Sequence, residues 1–165
     1  MAMTQAFIDE LKREGATTRR VLERVPQDKL TWRPHAKSFS LGELALHIAQ
    51  VPGAIADLIT PATREAFKFT QAEAKSSAEI LKALDDSLAN ATAKLSGWSD
   101  GDLMTQWKMT AGPATVMTMP RIAMVRTVML NHWYHHRGQL SVYLRLLDVP
   151  VPSIYGPSAD ENPFG

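Results

Sequence analysis

Between Pro120 and Leu147 the chain carries Val125, Met129, His132, His136, Leu140, Tyr143 and Leu147 at spacings of three or four. That is one face of a helix. Pro120 suits its first position, and Pro150 and Pro152 stop it. A helix this long and one-sided must lay its stripe against other secondary structure. Two members of the stripe, His132 and His136, are imidazoles one turn apart, so both rings can reach one ion from the same side. Neutral imidazole is the commonest protein ligand for transition metals. Periodicity leaves alternatives open. Val128, His135, Gln139, Val142 and Leu146 form a second, partly apolar stripe, so a His132/His135 pair is also possible. Buried histidines whose nitrogens are satisfied within the core would need no metal at all.

Three more helices are expected. The first runs from about Thr4 to Arg24, with Pro26 beyond its end. After an extended connection over Gln27 to Phe39, Ser40-Leu41-Gly42-Glu43 has the form of a capping box. It opens a second helix through Leu44, His47, Ile48 and Val51, which Pro52-Gly53 should bend or break, with Ala54 to Ile59 as its continuation. Ser76-Ser77-Ala78-Glu79 is another such box. It opens a third helix with Leu81, Leu84, Leu88, Ala91 and Leu95 as a narrow seam, closed by Gly97. Trp98 to Met119 reads as a long connection, with turns at Asp100-Gly101 and Gly112-Pro113 and a short strand pair near Gln106–Met109 and Thr115–Thr118. Residues 1–165 thus read as one all-α domain, a four-helix bundle with long connections and a site between facing helices.

His47 shares a helix face with Leu44 and Val51, which makes it a third ligand candidate; the alternative is a polar residue near a helix boundary. His35 lies in the first connection and reads as surface. Gln139 is placed to support an imidazole. Gly138, costly inside a helix, suggests close approach of another backbone or room near the site.

Composition narrows the chemistry. There is no cysteine, so any metal is held by nitrogen and oxygen, and any thiol must arrive with a substrate. Lysine plus arginine number 18 against 17 acidic residues, which gives no field for nucleic acid or an anionic membrane. From Leu103 to Leu147 the charged residues are all basic (Lys108, Arg121, Arg126, Arg137 and Arg145), read as ordinary solvated groups. No signal peptide or membrane-length apolar run is present, so a cytoplasmic location is expected. The sequence holds no phosphate loop, no zinc-protease helix motif and no nucleophile elbow.

Trp32-Arg33-Pro34-His35, Leu41-Gly42-Glu43-Leu44-Ala45 with His47 shortly after, and His132-Trp133-Tyr134-His135-His136-Arg137-Gly138-Gln139 together resemble the DinB/YfiT-like family of small metalloenzymes. The C-terminal Val151-Pro152-Ser153-Ile154-Tyr155-Gly156-Pro157-Ser158-Ala159-Asp160-Glu161 is also typical of that family. The resemblance covers nearly the whole chain, and His-x3-His-Arg-Gly-Gln is its most specific piece. It implies a four-helix bundle, commonly a homodimer, with three histidines on one divalent ion, zinc or nickel. Carried over by position, the ligands are His47, His132 and His136, since the family ligand directly precedes Arg-Gly-Gln. Related families use this scaffold for thiol-dependent reactions. The expected function is therefore a divalent-metal-dependent enzyme of thiol S-transfer type acting on a small molecule, with a low-molecular-weight thiol as partner. Metal-dependent hydrolysis and a non-catalytic, stress-associated metal-binding role are the alternatives. Neither nucleic acid nor membrane is an expected partner.

Overall fold

In the computed structural model, which describes residues 2–164, four long helical segments surround a common core. They are α1 (Met3–Leu22), α2 (Leu41–Ile59), α3 (Ser77–Ser96) and the continuous segment formed by α5 (Arg121–Ala123), a π-helix (Met124–Asn131) and α6 (His132–Leu146). α1 packs on α3, α3 on α2, α2 on α6 and the π-helix, and α6 returns to α1. The core is filled by side chains such as Leu11, Leu22, Leu44, Ile48, Ile80, Leu84, Leu95, Trp133 and Leu140.

The all-α expectation is corrected by a three-stranded sheet. β1 (Thr63–Glu65) runs parallel to β2 (Gln106–Ala111), which pairs antiparallel with β3 (Ala114–Pro120). Gly112 opens the two-residue hairpin turn with φ +58, at the first central position, where such a turn favours glycine. The sheet is tied down by Trp107, which is fully buried and donates its Nε1–H to the Leu58 carbonyl at 3.2 Å. Thr63–Glu65 has no alternating apolar pattern; all three of its residues are exposed. The expected connection from Trp98 to Met119 also holds a short helix, α4 (Asp100–Met104), opened by a capping box between Ser99 and Asp102.

Helix starts follow the local chemistry. Ser40 and Glu43 make the reciprocal box at the head of α2, and two loop carbonyls, Trp32 and Leu30, accept from Leu41 N–H and Gly42 N–H at 2.8 Å each. At α3 only half the expected box forms. Ser76 accepts from Glu79 N–H, but the Glu79 carboxylate takes the Lys75 N–H instead.

Pro52 does not break α2. A proline removes one N–H and leaves the carbonyl four residues earlier without its helical partner. That carbonyl belongs to Ile48, and Trp133 Nε1–H donates to it at 2.8 Å. Gly53 N–H donates to Ser87 Oγ at 2.8 Å, and Ser87 in turn donates to the Gln50 carbonyl at 3.1 Å. The helix continues because neighbouring side chains re-satisfy its backbone. Gly53 also permits close packing: a Cβ there would lie 3.0 Å from Ser87 Cα and carbonyl oxygen.

The basic residues read as solvated are largely in structural use. Arg137 is 1% exposed; its guanidinium pairs with Glu14 at 2.6 Å and donates to Thr18 Oγ1 at 3.0 Å and to the Tyr155 hydroxyl. Arg121 donates to the Ile59 and Thr60 carbonyls at the end of α2. Arg126 forms a bidentate pair with Glu10 at 2.8 Å, and Arg145 pairs with Asp160 in the C-terminal segment. Among the described residues no helix is long and apolar enough to cross a membrane.

Candidate metal centre

The π-helix sets the face that α6 presents. Residues turn through a smaller angle in a π-helix than in an α-helix, because hydrogen bonds span five residues rather than four. The buried series accordingly runs Val125, Met129, Trp133, Arg137, Leu140 and Leu144. Trp133 and Arg137 therefore occupy the core positions that the sequence pattern gave to His132 and His136. The two histidines are rotated to the edge of that face, half-buried and turned toward α2.

His47, buried on α2, lies opposite them. Its ring centroid is 5.3 Å from that of His132 and 4.6 Å from that of His136, and the latter two are 4.4 Å apart. One nitrogen from each ring falls within 4.8 Å of the other two, and the Nε2 atoms of His47 and His132 approach to 3.0 Å. A tetrahedral zinc with Zn–N bonds of about 2.0–2.1 Å has ligand–ligand edges of roughly 3.3–3.4 Å. Small ring rotations bring the cluster to those edges. The Trp133 bond to the Ile48 carbonyl joins the residues next to His132 and His47, and so fixes the register of the two helices at the cluster.

Tautomers follow from the outer partners. Gln71 donates its amide N–H to the Ala72 carbonyl at 3.1 Å, which leaves Oε1 facing His47 Nδ1 at 3.0 Å. An amide oxygen only accepts, so Nδ1 carries the proton and Nε2 carries a lone pair. Gln139 Oε1 faces His136 Nδ1 at 2.7 Å, placed to accept from an Nδ1–H. Both glutamines leave their histidine with a free Nε2 lone pair in the cluster, the outer arrangement that metal-ligating imidazoles require.

Electrostatics act in the same sense. All three imidazoles titrate below the ordinary 6.5, chiefly because burial disfavours the charged ring. For His136 the value falls to about 4. The cluster is thus neutral at pH 7, the protonation state that coordination needs. Three neutral nitrogen donors, two of them backed by a glutamine, fit a divalent transition metal.

The cluster opens on a pocket of about 930 Å³. Val51, Ile55 and Leu58 of α2, together with Phe39, form one part of its wall, and Phe67 and Phe69 of the connection after β1 form another. The Phe69 ring lies 5.5 Å from that of His47.

Of the other candidates, His35 is exposed and its Nδ1 accepts from Lys37 N–H. His135 is exposed, its ring 5.1 Å from that of His136, and it is not one of the three residues whose nitrogens come together. Gly138 is exposed, and no atom lies within 4 Å of where a Cβ would stand, so close approach of another backbone does not explain it. Gln71, Phe67 and Phe69 gave no sign in the sequence. They sit in a stretch without helical period, and the only local signal is the alternation Phe67-Lys68-Phe69.

The sequence model of the DinB family matches residues 1–162. The chain is 25% identical over 160 residues to the uncharacterized protein YrdA of Bacillus subtilis (strain 168), covering 94% of this chain and 89% of that one. Among solved structures, a DinB-like protein from Bacillus cereus is similar with a TM-score of 0.71 at 24% identity, covering 92% of this chain and 97% of that one. A DinB-like protein from Bacillus subtilis has a TM-score of 0.69 at 19% identity, covering 90% and 97%. These likenesses concern the fold, and the family match spans nearly the full length: the chain belongs to the DinB family.

Proposed function

We propose that the protein is a divalent-metal-dependent enzyme in which His47, His132 and His136 hold a zinc or nickel ion, and that it catalyses transfer of a low-molecular-weight thiol to a small electrophile. The observation that carries this reading is the neutral three-imidazole cluster facing an open pocket. Three neutral ligands leave the ion its full charge and an open position, and such an ion lowers the pKa of a bound thiol or water. The chain's own residues do the rest. His47, His132 and His136 present neutral nitrogens, Gln71 and Gln139 fix the tautomers of His47 and His136, and the apolar wall limits water. With no cysteine in the chain, the sulfur nucleophile comes from the thiol substrate. The thiol would give its proton to solvent water, a C–S bond would form at the electrophilic carbon, and the leaving group would depart with the bonding pair.

Thiols of this kind are kept reduced in the cytoplasm, which is where this reading places the protein. A homodimer is part of the same proposal. Gly138, Val142 and Leu146 recur at intervals of four along the exposed side of α6, and Val142 and Leu146 are 57% and 58% exposed. An open glycine beside two exposed apolar side chains suits a second helix. Light scattering should give twice the chain mass, and Leu146→Glu should halve it; a monomer for the unaltered protein at high micromolar concentration removes the dimer.

The experiment for the reaction is a screen of zinc- and nickel-loaded protein, purified without a histidine tag, with small thiols and a chromogenic aryl halide. The expected result is metal-dependent thioether formation that His136→Ala abolishes. Turnover of ester substrates without thiol would replace transfer by hydrolysis. A rate equal to the uncatalysed one with every thiol and ester would leave the ion a structural pin between helices.

A further inference from the structure

We propose that the pocket selects a substrate with an apolar body, aromatic or medium-chain aliphatic, carrying a single donor group at the end that meets the histidines. This deepens the metal-enzyme reading and rests on it for the role of that donor group alone.

The pocket volume of about 930 Å³ lies at the upper end of the range for small-molecule sites. Phe39, Val51, Ile55, Leu58, Phe67 and Phe69 line the pocket together with the histidine cluster, and Gln50, Thr63 and Arg64 add polar groups to the wall. Phe67 and Phe69 are 60% and 55% exposed. Single exposed apolar residues are ordinary, but two phenyl rings lining one concavity with aliphatic side chains make a contiguous apolar surface, which marks a binding site.

The acidic groups around the pocket are turned to the fold's own needs. Asp57 accepts from Asn90 at 2.9 Å, and Glu65 accepts from Thr110 Oγ1 and Gly112 N–H at 2.7 Å each. Against the aliphatic and phenyl side chains, the polar groups of a sugar, nucleotide or peptide would find no partners, each at a desolvation cost. An apolar body loses nothing there and gains with each methylene removed from water. Phe67 and Phe69 are the specificity-determining residues, since they sit on an exposed segment whose other duty to the core is slight.

The test uses two ligand series on the full chain, zinc-loaded and metal-free, by titration calorimetry. One series is n-alkyl hydroxamic acids from two to eight carbons, which present a metal-binding head. The other is the matching primary amides, which do not. For hydroxamates on the zinc-loaded protein, affinity is expected to rise by about fourfold per methylene over the middle of the series. Phe67→Ser/Phe69→Ser should cut that slope to less than about half its logarithmic value while leaving zinc content and acetohydroxamate affinity unchanged. Both positions are exposed, so the double variant keeps the fold. If zinc and acetohydroxamate bind but affinity is flat with chain length, or if the double variant keeps the full slope, the inference is overturned while the metal site stands. If amides bind as tightly as hydroxamates of the same length, with and without zinc, the apolar specificity stands and the metal-centred reading falls.

Discussion

At the scale of single residues, the site is made by proton placement as much as by proximity. Gln71 and Gln139 hold protons on the outer nitrogens of His47 and His136, and burial keeps all three rings neutral. This has a consequence for the metal-free protein. His136 titrates near 4 when folded and near 6.5 when free, so between those values the unfolded chain binds the proton that the folded chain refuses. Stability must therefore fall as the pH is lowered from about 6.5 toward 4, with no contribution from this ring above that window. Thermal melts of metal-free protein from pH 7 to pH 4 should show the fall, and His136→Leu should show a shallower one. An equal slope in the variant would place the acid sensitivity elsewhere. His132 and His136 were legible in the sequence because i, i+4 spacing is a local signal. The choice of His136 over His135 was not legible from spacing, because it depends on helix phase; the family motif pointed to His136, whose nitrogen gathers with those of His47 and His132, while His135 is exposed. Gln71 gave no signal, since a loop residue reaches its partner only through the path of the chain.

At the scale of elements, two departures from ideal helix build the centre. The π-helix retards the phase so that Trp133 enters the core in place of His132, and Pro52 frees the Ile48 carbonyl that Trp133 then binds. The two irregularities meet in one hydrogen bond beside the histidines. Trp133→Phe keeps a ring in the core but removes the donor, and leaving a buried carbonyl without a partner costs about 1–3 kcal/mol. Pro52→Ala restores an N–H in line with that carbonyl. Chemical denaturation of the double variant should therefore recover most of the loss. If Trp133→Phe costs the same with alanine at position 52, the bond does not compensate for the proline. Both capping serines of α2 and α3 were readable, because caps are written in four consecutive residues. The cap of α4, Ser99 with Asp102, was equally readable but was hidden by the turn signal Asp100-Gly101. Continuity through Pro52 was not readable, because the groups that repair it, Trp133 and Ser87, lie far along the chain.

At the scale of the whole molecule, Arg137 locks three parts together: Glu14 and Thr18 of α1, α6 itself, and Tyr155 of the C-terminal segment. Around it, Arg20 and Arg145 pair with Glu161 and Asp160 of the same segment. Arg137→Met should cost about 3–5 kcal/mol in a denaturant titration, because it strands Glu14 without its buried partner. Arg137→Lys should not restore it, since one ammonium cannot serve the hydroxyls and the carboxylate that the planar guanidinium spans. A loss below about 1 kcal/mol for Arg137→Met would show that the pair is not a lock. The bundle of long helices was legible from periodicity, and the hairpin from its turn. The third strand was not, because Thr63–Glu65 is exposed throughout and takes its structure from β2.

We propose that His47, His132 and His136 form one metal site, and elemental analysis of tag-free protein and single alanine variants after equilibration with zinc at pH 7 tests it. Stoichiometric metal is expected in the unaltered protein and in His35→Ala and His135→Ala, with loss in His47→Ala, His132→Ala and His136→Ala. Stoichiometric zinc retained by His136→Ala, or lost by His135→Ala, would contradict it.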